Sequence, residues 1–322
     1  MFGPVRSRRL GISLGVNNIP YKFCSYSCIY CQLGRTINKT IKRRAFYKPE
    51  DIINSVIDAV KRLRKIDYIS FVPDGEPTLD KNLKSEIDGM KKALDIPIAV
   101  FTNASLLWID EVREALYQAD LVSIKVDAVS DSIWKAINRP HLKLEIGRIL
   151  ESIREFVKSY RGKVISETML VSGINTVRES LREISRYLKD LNVDVAYISV
   201  PIRPPAERWV RPPSYFELIQ AYETFKDSLG ENKVKLLNMP EDYVTHLAGE
   251  PEEYILRTTA VHPLRYEHAV RLISEHDKDP NEVIDKLIKR GLIEIVDYLG
   301  TKFIIRRFLP KNNNMTKKNK KS

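Results

Sequence analysis

The chain has three cysteines, Cys24, Cys28 and Cys31, and all of them stand in one short stretch of its 322 residues. Their spacing lets one tight loop turn the three side chains toward a common centre. Thiolates are the usual ligands of iron–sulfur clusters, which normally take four of them. Three thiolates on a four-iron cluster leave one iron open to another molecule. The stretch therefore predicts a reactive cluster.

Three other interpretations of the cysteines are open. A structural zinc ion takes four ligands, and His141, the histidine nearest in sequence, lies more than a hundred residues away. A disulfide would leave one thiol over and fits poorly within so short a loop. The last alternative is three unrelated buried thiols, but buried cysteines do not usually cluster while the rest of a chain has none.

The pattern CxxxCxxC, with Tyr30 before its last cysteine, resembles the signature of the radical S-adenosylmethionine (SAM) superfamily. The resemblance implies a [4Fe-4S] cluster on Cys24, Cys28 and Cys31, whose open iron chelates the amino and carboxylate groups of SAM. One electron from the cluster then cleaves the sulfonium and yields a 5′-deoxyadenosyl radical, which abstracts hydrogen from a substrate. Such an enzyme also implies a ferredoxin-like or flavodoxin-like reductant protein.

The flanking sequence is similar to a narrower family, archaeal and bacterial iron–sulfur oxidoreductase-like proteins mostly without assigned substrates. The likeness covers about residues 1–215 and includes Gly3-Pro4, Ser7-Arg8-Arg9-Leu10-Gly11, Ser13-Leu14-Gly15 and Cys31-Gln32-Leu33-Gly34. The words GEP, TNA and SxKxDA also resemble the wybutosine-forming tRNA radical enzymes. Those enzymes use a second cluster, for which this chain has no cysteine left. The same lack argues against a molybdopterin-precursor synthase.

Short β-rich runs alternate with amphipathic helical segments, which predicts βα units on a parallel sheet. The predicted strands are 10–14, 68–72, 97–101, 121–127, 164–171 and 195–200, and the helices are 49–64, 81–94, 109–118, 143–159, 178–190 and 214–228. Six units are too few for a closed eight-stranded barrel. The predicted fold is therefore α/β, a partial (βα)6 barrel of the radical SAM type, with its chemistry where the strands end.

The pair Gly75-Glu76 directly follows the second predicted strand. By resemblance this pair contacts the methionine amino group of SAM. Glycine lets a backbone approach closely, and a carboxylate can accept hydrogen bonds from an ammonium. Asp74 stands where many relatives have glycine, so the sequence departs from the family pattern at the point of that close backbone approach. The alternative is a simple turn.

Ser123, Lys125 and Asp127 alternate with apolar residues and so share one face of the fourth predicted strand. An inward polar face is costly unless it binds something, and the alternative is a buried Lys125–Asp127 ion pair without a ligand. By resemblance these residues lie near the ribose or carboxylate of SAM, and Tyr30 leans toward the adenine. The full set assigned to the cofactor is Tyr30, Gly75, Glu76, Asn103, Ser123, Lys125 and Asp127.

A stiff, basic loop follows the sixth predicted strand. It carries two Arg-Pro-Pro words, at 203–205 and 211–213, on either side of Trp209. Arginine forks suit phosphate or carboxylate, so Arg203, Arg208 and Arg211 are predicted to face the substrate. A linker to the next domain would look much the same.

The C-terminal part has a different character. Helices near 265–275 and 281–290, followed by a hairpin over 292–306, resemble a winged-helix domain, which contacts nucleic acid or protein. The predicted domains are the barrel (1–230), the winged-helix-like domain (231–310) and a disordered basic tail (311–322).

The net charge of +11 is unevenly distributed. Residues 1–48 hold ten Lys or Arg and no acid, the tail 311–322 adds five lysines, and residues 49–310 carry a net −4. This asymmetry predicts an anionic partner, and we favour tRNA or another RNA, although basic tails also serve solubility alone. The alternatives are a radical enzyme acting on a protein side chain or a small anionic metabolite, and a non-enzymatic, metal-stabilised nucleic-acid binder.

No run of eighteen apolar residues is present, so no membrane span is predicted. The N-terminus lacks the apolar stretch of a signal peptide. Free cysteines are typical of reducing compartments. We therefore expect a cytoplasmic protein.

Overall fold

The computed structural model describes residues 1–63, 65–238 and 250–307. Its strands are β1 (Phe2–Ser7), β2 (Gly11–Val16), β3 (Phe23–Cys24), β4 (Asn38–Lys39), β5 (Tyr68–Phe71), β6 (Ile98–Thr102), β7 (Leu121–Lys125), β8 (Lys163–Met169), β9 (Val195–Ser199), β10 (Val234–Leu237), β11 (Leu264–Arg265), β12 (Ile293–Tyr298) and β13 (Thr301–Arg306). Its α-helices are α1 (Pro49–Lys61), α2 (Leu83–Ala93), α3 (Asp110–Leu116), α4 (Asp131–Asn138), α5 (Ile146–Ser159), α6 (Arg178–Leu191), α7 (Tyr215–Leu229), α8 (Pro251–Val261), α9 (Tyr266–Ser274) and α10 (Pro280–Lys289).

An eight-stranded sheet in the order β1-β2-β5-β6-β7-β8-β9-β10 forms the larger unit. From β2 to β10 neighbouring strands are parallel, and β1 joins the edge antiparallel to β2. The sheet curls on itself: Arg8, between the first two strands, donates a hydrogen bond of 2.9 Å to the carbonyl of Leu237 in the last one. The predicted α/β partial barrel is confirmed.

Helices cover the convex face of the sheet because alternate strand residues present apolar side chains there. Ile69, Val100 and Val122 are fully buried in the main core, against side chains such as Met90 and Val112 from the helices. Each such side chain contributes about 1.5–3 kcal/mol on burial. The concave face carries the polar residues that the alternation places inside, together with a smaller apolar cluster that includes Ala99, Leu121 and Ile165.

Two strands of this sheet were not predicted. β1 (Phe2–Ser7) contains proline, which weakens a strand signal and is tolerated at a sheet edge, and β10 (Val234–Leu237) has only four residues. β10 lies beyond the predicted domain boundary at 230 and pairs with β9. The sheet therefore continues past that boundary.

The C-terminal unit has helices and strands in the order α8-β11-α9-α10-β12-β13, with a three-stranded sheet in the order β11-β13-β12. Its core contains Ile255, Leu272, Ile284, Leu287 and Ile304. The helices expected near 265–275 and 281–290 correspond to α9 and α10, and the hairpin to β12–β13. The winged-helix-like description stays a prediction, and the basic tail at 311–322 lies outside the described residues. Within the described part of the chain, none of the helices has the length and apolar character needed to span a bilayer.

Candidate cluster and cofactor site

The cysteine loop begins where the chain leaves β2, at the carboxyl end of the parallel strands. Cys24 ends the short strand β3, and backbone bonds from Cys31 to Cys28 (3.1 Å) and from Gly34 to Cys31 (3.0 Å) close tight turns after it. The amide of Ile29 donates to the carbonyl of Ile137 at 3.0 Å. The end of α4 thereby holds the loop in place.

Each of the three sulfurs has a nitrogen donor nearby. Lys22 Nζ lies 3.2 Å from Cys31 Sγ, Asn138 Nδ2 lies 3.4 Å from Cys28 Sγ, and Asn103 Nδ2 lies 3.6 Å from Cys24 Sγ. Donors to sulfur stabilise its negative charge and are among the levers that set cluster potentials. Three thiols with one donor each fit a thiolate-ligated cluster.

Burial works against ionisation of the Cys24 and Cys28 thiols when no metal is bound. It raises the pKa of Cys28 to about 11, with the charge of Asp127 adding to the effect, and it raises the pKa of Cys24 further. A bound metal deprotonates a coordinating thiol outright. Among the described residues, no three His, Cys, Asp or Glu side chains form a group suited to a single ion, whereas a cluster spreads its ligands over several irons.

Gly75 lies against the backbone that enters the cysteine loop. A Cβ on this residue would stand 1.9 Å from the carbonyl oxygen of Phe23 and 2.6 Å from the side chain of Ile19. The amide of Glu76 donates to the same Phe23 carbonyl at 3.0 Å. The close backbone approach expected of this glycine is therefore made to the residue before Cys24, and its contact with SAM stays a prediction.

The carboxylate of Glu76 is 1% exposed and accepts four hydrogen bonds. Two come from the amide (3.1 Å) and hydroxyl (2.6 Å) of Thr78, one from the hydroxyl of Thr102 (2.6 Å) and one from the amide of Asn103 (2.8 Å). Burial raises the pKa of Glu76, although these hydrogen bonds oppose it. Glu76 thus ties the turn after β5 to the end of β6, next to the Asn103 side chain that reaches Cys24.

The inward polar face of β7 forms an ion network. Lys125 Nζ lies 3.2 Å from Glu167 Oε1 and 3.9 Å from Asp127 Oδ1, and Ser123 is buried two residues earlier on the strand. Arg9 Nη1 lies 2.6 Å from Glu167 Oε2. Burial alone would raise the pKa of Glu167, but the charges of Arg9 and Lys125 outweigh it and hold that pKa well below its usual range.

Asp127 joins this network to the cysteine loop. Its carboxylate accepts hydrogen bonds from Asn138 Nδ2 (2.7 Å), from the amide of Met169 (2.8 Å) and from the hydroxyl of Tyr30. The Tyr30 ring lies 5.1 Å from Lys125 Nζ, in a cation–π arrangement. The structure therefore brings together Tyr30, Lys125 and Asp127, as the sequence predicts, while the adenine contact of Tyr30 stays a prediction.

The proline-rich loop after β9 packs on the cysteine loop. Glu207 accepts two hydrogen bonds from the guanidinium of Arg35, at 2.8 and 2.9 Å, and another from Arg139. Val210 is buried in a small cluster with Ile29. The arginines on Glu207 hold the pKa of its carboxyl low, so this anchor is ionised at neutral pH.

The three arginines assigned to the substrate do not lie together in the structure. Arg203 Nη1 donates to the Gln32 side chain at 2.7 Å, directly after Cys31. Arg208 and Arg211 are exposed, and Arg211 Nη1 donates to the carbonyls of Arg208 (2.6 Å) and Val210 (3.1 Å). The structure brings Arg203 to the site and leaves the other two on the outer side of the loop.

Four residues of the site were not singled out from the sequence: Lys22, Asn138, Glu167 and Glu207. Asn138 and Glu167 reach the site from segments more than a hundred residues after the cysteines. Glu167 carried a usable signal, because it occupies the inward position of a predicted strand next to the one bearing Lys125. Lys22 carried a weaker one, a lone lysine two residues before the first cysteine.

Comparison with known proteins places this geometry in context. The radical SAM superfamily profile matches residues 18–184. A UPF0026 protein of Methanocaldococcus jannaschii is 44% identical over 317 residues, 98% of either chain. A probable dual-specificity RNA methyltransferase of Clostridium perfringens is 25% identical over 60% of this chain and 61% of its own length. A solved radical SAM methyltransferase from Sphaerobacter thermophilus shares the fold, with a TM-score of 0.53 at 17% identity over 70% of this chain and 66% of that one.

Proposed function

The chain belongs to the radical SAM superfamily, and from that premise we propose that its radical chemistry acts on an RNA. The family makes it an enzyme with a [4Fe-4S] cluster and SAM as cofactors. When bound, the cluster supplies the electron that cleaves SAM and releases the 5′-deoxyadenosyl radical. The substrate, and the residues that serve each step, are the proposal.

In this proposal Cys24, Cys28 and Cys31 ligate the cluster. Their nitrogen donors keep electron density on the sulfurs, and the Glu207 anchor keeps the proline-rich loop over the cysteines. SAM is held by the set assigned to the cofactor from the sequence, which is Tyr30, Gly75, Glu76, Asn103, Ser123, Lys125 and Asp127. Carboxylate, amide and ammonium groups are suited to the charged ends of that molecule.

The observation that carries the RNA proposal is the position of exposed basic residues beside the cysteine loop. β4 pairs with β3 so that Lys39 lies opposite Cys24. Lys39, Lys42 and Arg44 are all exposed, and the first 48 residues contain no acid to offset them. A polyanion that binds here would place a base close to the cluster. The similarity to an RNA methyltransferase supports the same substrate class.

The test is RNA affinity as a function of salt, measured with reconstituted holoprotein and bulk tRNA under anaerobic conditions. The triple variant Lys39→Ala, Lys42→Ala, Arg44→Ala should bind more weakly and lose roughly 0.7–0.9 of log–log salt slope per phosphate contact removed. A matched triple on the exposed side of α6, Arg182→Ala, Arg186→Ala, Lys189→Ala, should keep the native slope. Equal slopes in the two triples, or no salt-dependent affinity at all, would reject RNA as the substrate.

A further inference from the structure

Three exposed apolar side chains lie in segments that pack on the cysteine loop. Ile37, Leu142 and Trp209 are 67%, 96% and 53% exposed, and together we call them the docking face. Single exposed apolar residues are common on protein surfaces, whereas a group of them marks an interaction surface. We propose that the docking face, with the cations around it, receives a small acidic protein that donates one electron to the cluster.

Backbone hydrogen bonds attach all three segments to the cysteine loop. In each segment, an amide within two residues of the exposed apolar side chain donates to a carbonyl of residues 22–31. These bonds run from Asn38 to Lys22 (3.0 Å), from His141 to Ser25 (2.8 Å) and from Glu207 to Ile29 (3.0 Å). The three side chains therefore surround one loop and are not scattered over the surface.

A buried carboxylate ties the same segments to one another. Glu207 is 6% exposed and accepts hydrogen bonds from Arg35, two residues before Ile37, and from Arg139, three residues before Leu142. Lys39 Nζ donates to the carbonyls of Arg139 (3.3 Å) and of the proline that follows it (3.2 Å). The segments 35–39, 139–143 and 207–211 therefore form one continuous surface.

This surface carries a net positive charge. Its three segments together hold six Lys or Arg against one acid, Glu207, which is a net +5. Lys143 and Arg208 are exposed at its edge. Glu145, an exposed acid just beyond the second segment, lowers the total by one charge. An acidic partner complements this surface, and opposite charges accelerate the encounter of two proteins.

The apolar side chains favour a protein over RNA at this face. Surfaces that bind unpaired nucleotides stack the bases on aromatic rings, and of the docking face only Trp209 offers such a ring. Ile37 and Leu142 are aliphatic and suit the apolar atoms of another protein. Tryptophan and arginine are also the residues in which protein interfaces concentrate their binding energy.

The position of the docking face favours an electron donor among acidic proteins. Arg139 directly follows Asn138, whose side chain lies 3.4 Å from Cys28 Sγ. The chain has no further cysteine for a relay cluster, so the electron that the cluster needs must arrive from another molecule close to this loop. Electron-transfer complexes use small interfaces. In the proposed step one electron leaves the reduced donor protein and enters the oxidised cluster, and no bond forms or breaks.

This inference rests on the proposed function only in that the chain binds a [4Fe-4S] cluster; it does not require that the substrate be RNA. The probe is a plant-type [2Fe-2S] ferredoxin, a small acidic one-electron donor. Surface plasmon resonance under anaerobic conditions measures its association and dissociation rates on reconstituted holoprotein at several salt concentrations. Electron paramagnetic resonance follows reduction of the cluster by pre-reduced ferredoxin and, separately, by dithionite. We expect saturable ferredoxin binding that weakens as salt rises.

Two variants separate the apolar contribution from the charge contribution. Leu142→Ser with Trp209→Ser should bind ferredoxin about tenfold or more weakly, mainly through faster dissociation. Lys143→Glu should slow association at low salt and flatten its salt dependence, because a charge at the edge of an interface acts on the encounter. Dithionite needs no docking face, so it should reduce the cluster of both variants as it reduces that of the native chain.

The matched control is Ile288→Ser with Leu299→Ser, which removes two exposed apolar side chains from the C-terminal unit and should keep the native ferredoxin affinity. Equal ferredoxin affinity in the docking-face double and this control, or no saturable ferredoxin binding, would overturn the proposal. Loss of tRNA binding in the docking-face double, with ferredoxin binding retained, would also overturn it and assign the face to RNA. The expected ferredoxin results with a holoprotein that has no tRNA affinity would reject RNA as the substrate and uphold the docking face.

Discussion

Lys22 is a buried lysine, 2% exposed, whose ammonium lies beside Cys31, one of the three cysteines that we propose as cluster ligands. Nζ donates to Cys31 Sγ at 3.2 Å and to the carbonyl of Gly34 at 2.5 Å. A positive charge and an N–H donor at a ligating sulfur both stabilise the more negative, reduced cluster. We therefore expect Lys22 to act on the electron-accepting step through Cys31.

The corresponding prediction is that Lys22→Met lowers the midpoint potential of the cluster. One charge-assisted hydrogen bond is worth about 1.5–3 kcal/mol, which for a one-electron couple at about 59 mV per factor of ten is on the order of 65–130 mV. Redox titration followed by electron paramagnetic resonance measures it. Lys42→Met, an exposed lysine on the same basic segment, is the control, and an unshifted potential in Lys22→Met would remove Lys22 from this role.

Glu86 is a fully buried carboxyl on α2, away from the cysteines. Burial, followed by the charge of Asp80, raises its pKa to about 8. Oε2 accepts from Asn18 at 3.2 Å, while Oε1 has no hydrogen-bond partner among the described residues. Because the folded pKa exceeds the unfolded value, the folded state binds this proton more tightly, and the resulting stabilisation is lost as pH rises from about 4.5 to about 8.

Glu86→Gln should therefore flatten the fall in unfolding free energy between pH 5 and pH 8.5. Each unit of pKa difference is worth about 1.4 kcal/mol, so the variant should gain on the order of a few kcal/mol relative to the native chain across this range. Urea unfolding at several pH values measures it, with Glu155→Gln, an exposed position on α5, as control. Parallel curves for the native chain and Glu86→Gln would show that Glu86 is ionised in the folded protein at neutral pH.

At the scale of elements, Glu76 joins the end of β5 to the end of β6. Removing its carboxylate leaves donors on Thr78, Thr102 and Asn103 without an acceptor, each at a cost of about 1–3 kcal/mol. Glu76→Ala should therefore lower the unfolding free energy by about 3 kcal/mol or more, and weaken SAM binding as Asn103 shifts. Glu76→Gln should retain most of the unfolding free energy and most of the SAM affinity.

Denaturant unfolding and SAM titration of the two variants decide how Glu76 acts. If Glu76→Ala loses SAM affinity at native stability, the carboxylate contacts SAM directly and its role at the strand ends is minor. Native affinity together with native stability would remove Glu76 from both roles.

The sequence predicted those parts of the site that depend on local pattern. The cysteine spacing, the alternation at Ser123, Lys125 and Asp127, and the glycine before Glu76 are all visible within a few residues. The partners of Lys125 and Asp127 were not predictable in this way, because Glu167 and Asn138 reach them through the packing of other elements. The inward polar face was expected to bind a ligand, or to hold an ion pair within one strand; its main ion pair joins two strands.

For the fold, the six predicted strands were long or strongly apolar runs, and all are present in the sheet. β1 and β10 were missed because neither has a local sequence pattern that identifies it as a strand without the strand that it pairs with. β1 nevertheless matters for the whole molecule, since it contacts α8 of the C-terminal unit. The junction between the barrel and the C-terminal unit therefore depends on a strand, a helix and a contact that the local sequence pattern does not predict.

At the scale of the whole molecule, the basic charge divides into an N-terminal group within the fold and a group of five lysines in the tail. The N-terminal group lies on β1, β4 and the segments around the cysteines, whereas the tail is outside the described residues. If both groups contact RNA phosphates, each adds its own counterion release, and the salt slope is their sum. The two groups can therefore be separated by removing one at a time.

A chain ending at Pro310 should bind tRNA more weakly than the intact chain and with a flatter salt slope. Each lysine that contacts a phosphate contributes roughly 0.7–0.9 to the log–log slope, so five contacts set the largest change the tail can produce. SAM cleavage without RNA should be unchanged, because the cysteines and their donors all precede residue 230. An unchanged slope would assign the tail to solubility alone. Combined with the Lys39, Lys42 and Arg44 triple, the truncation then tells whether the phosphate contacts sit only beside the cluster or continue along the tail.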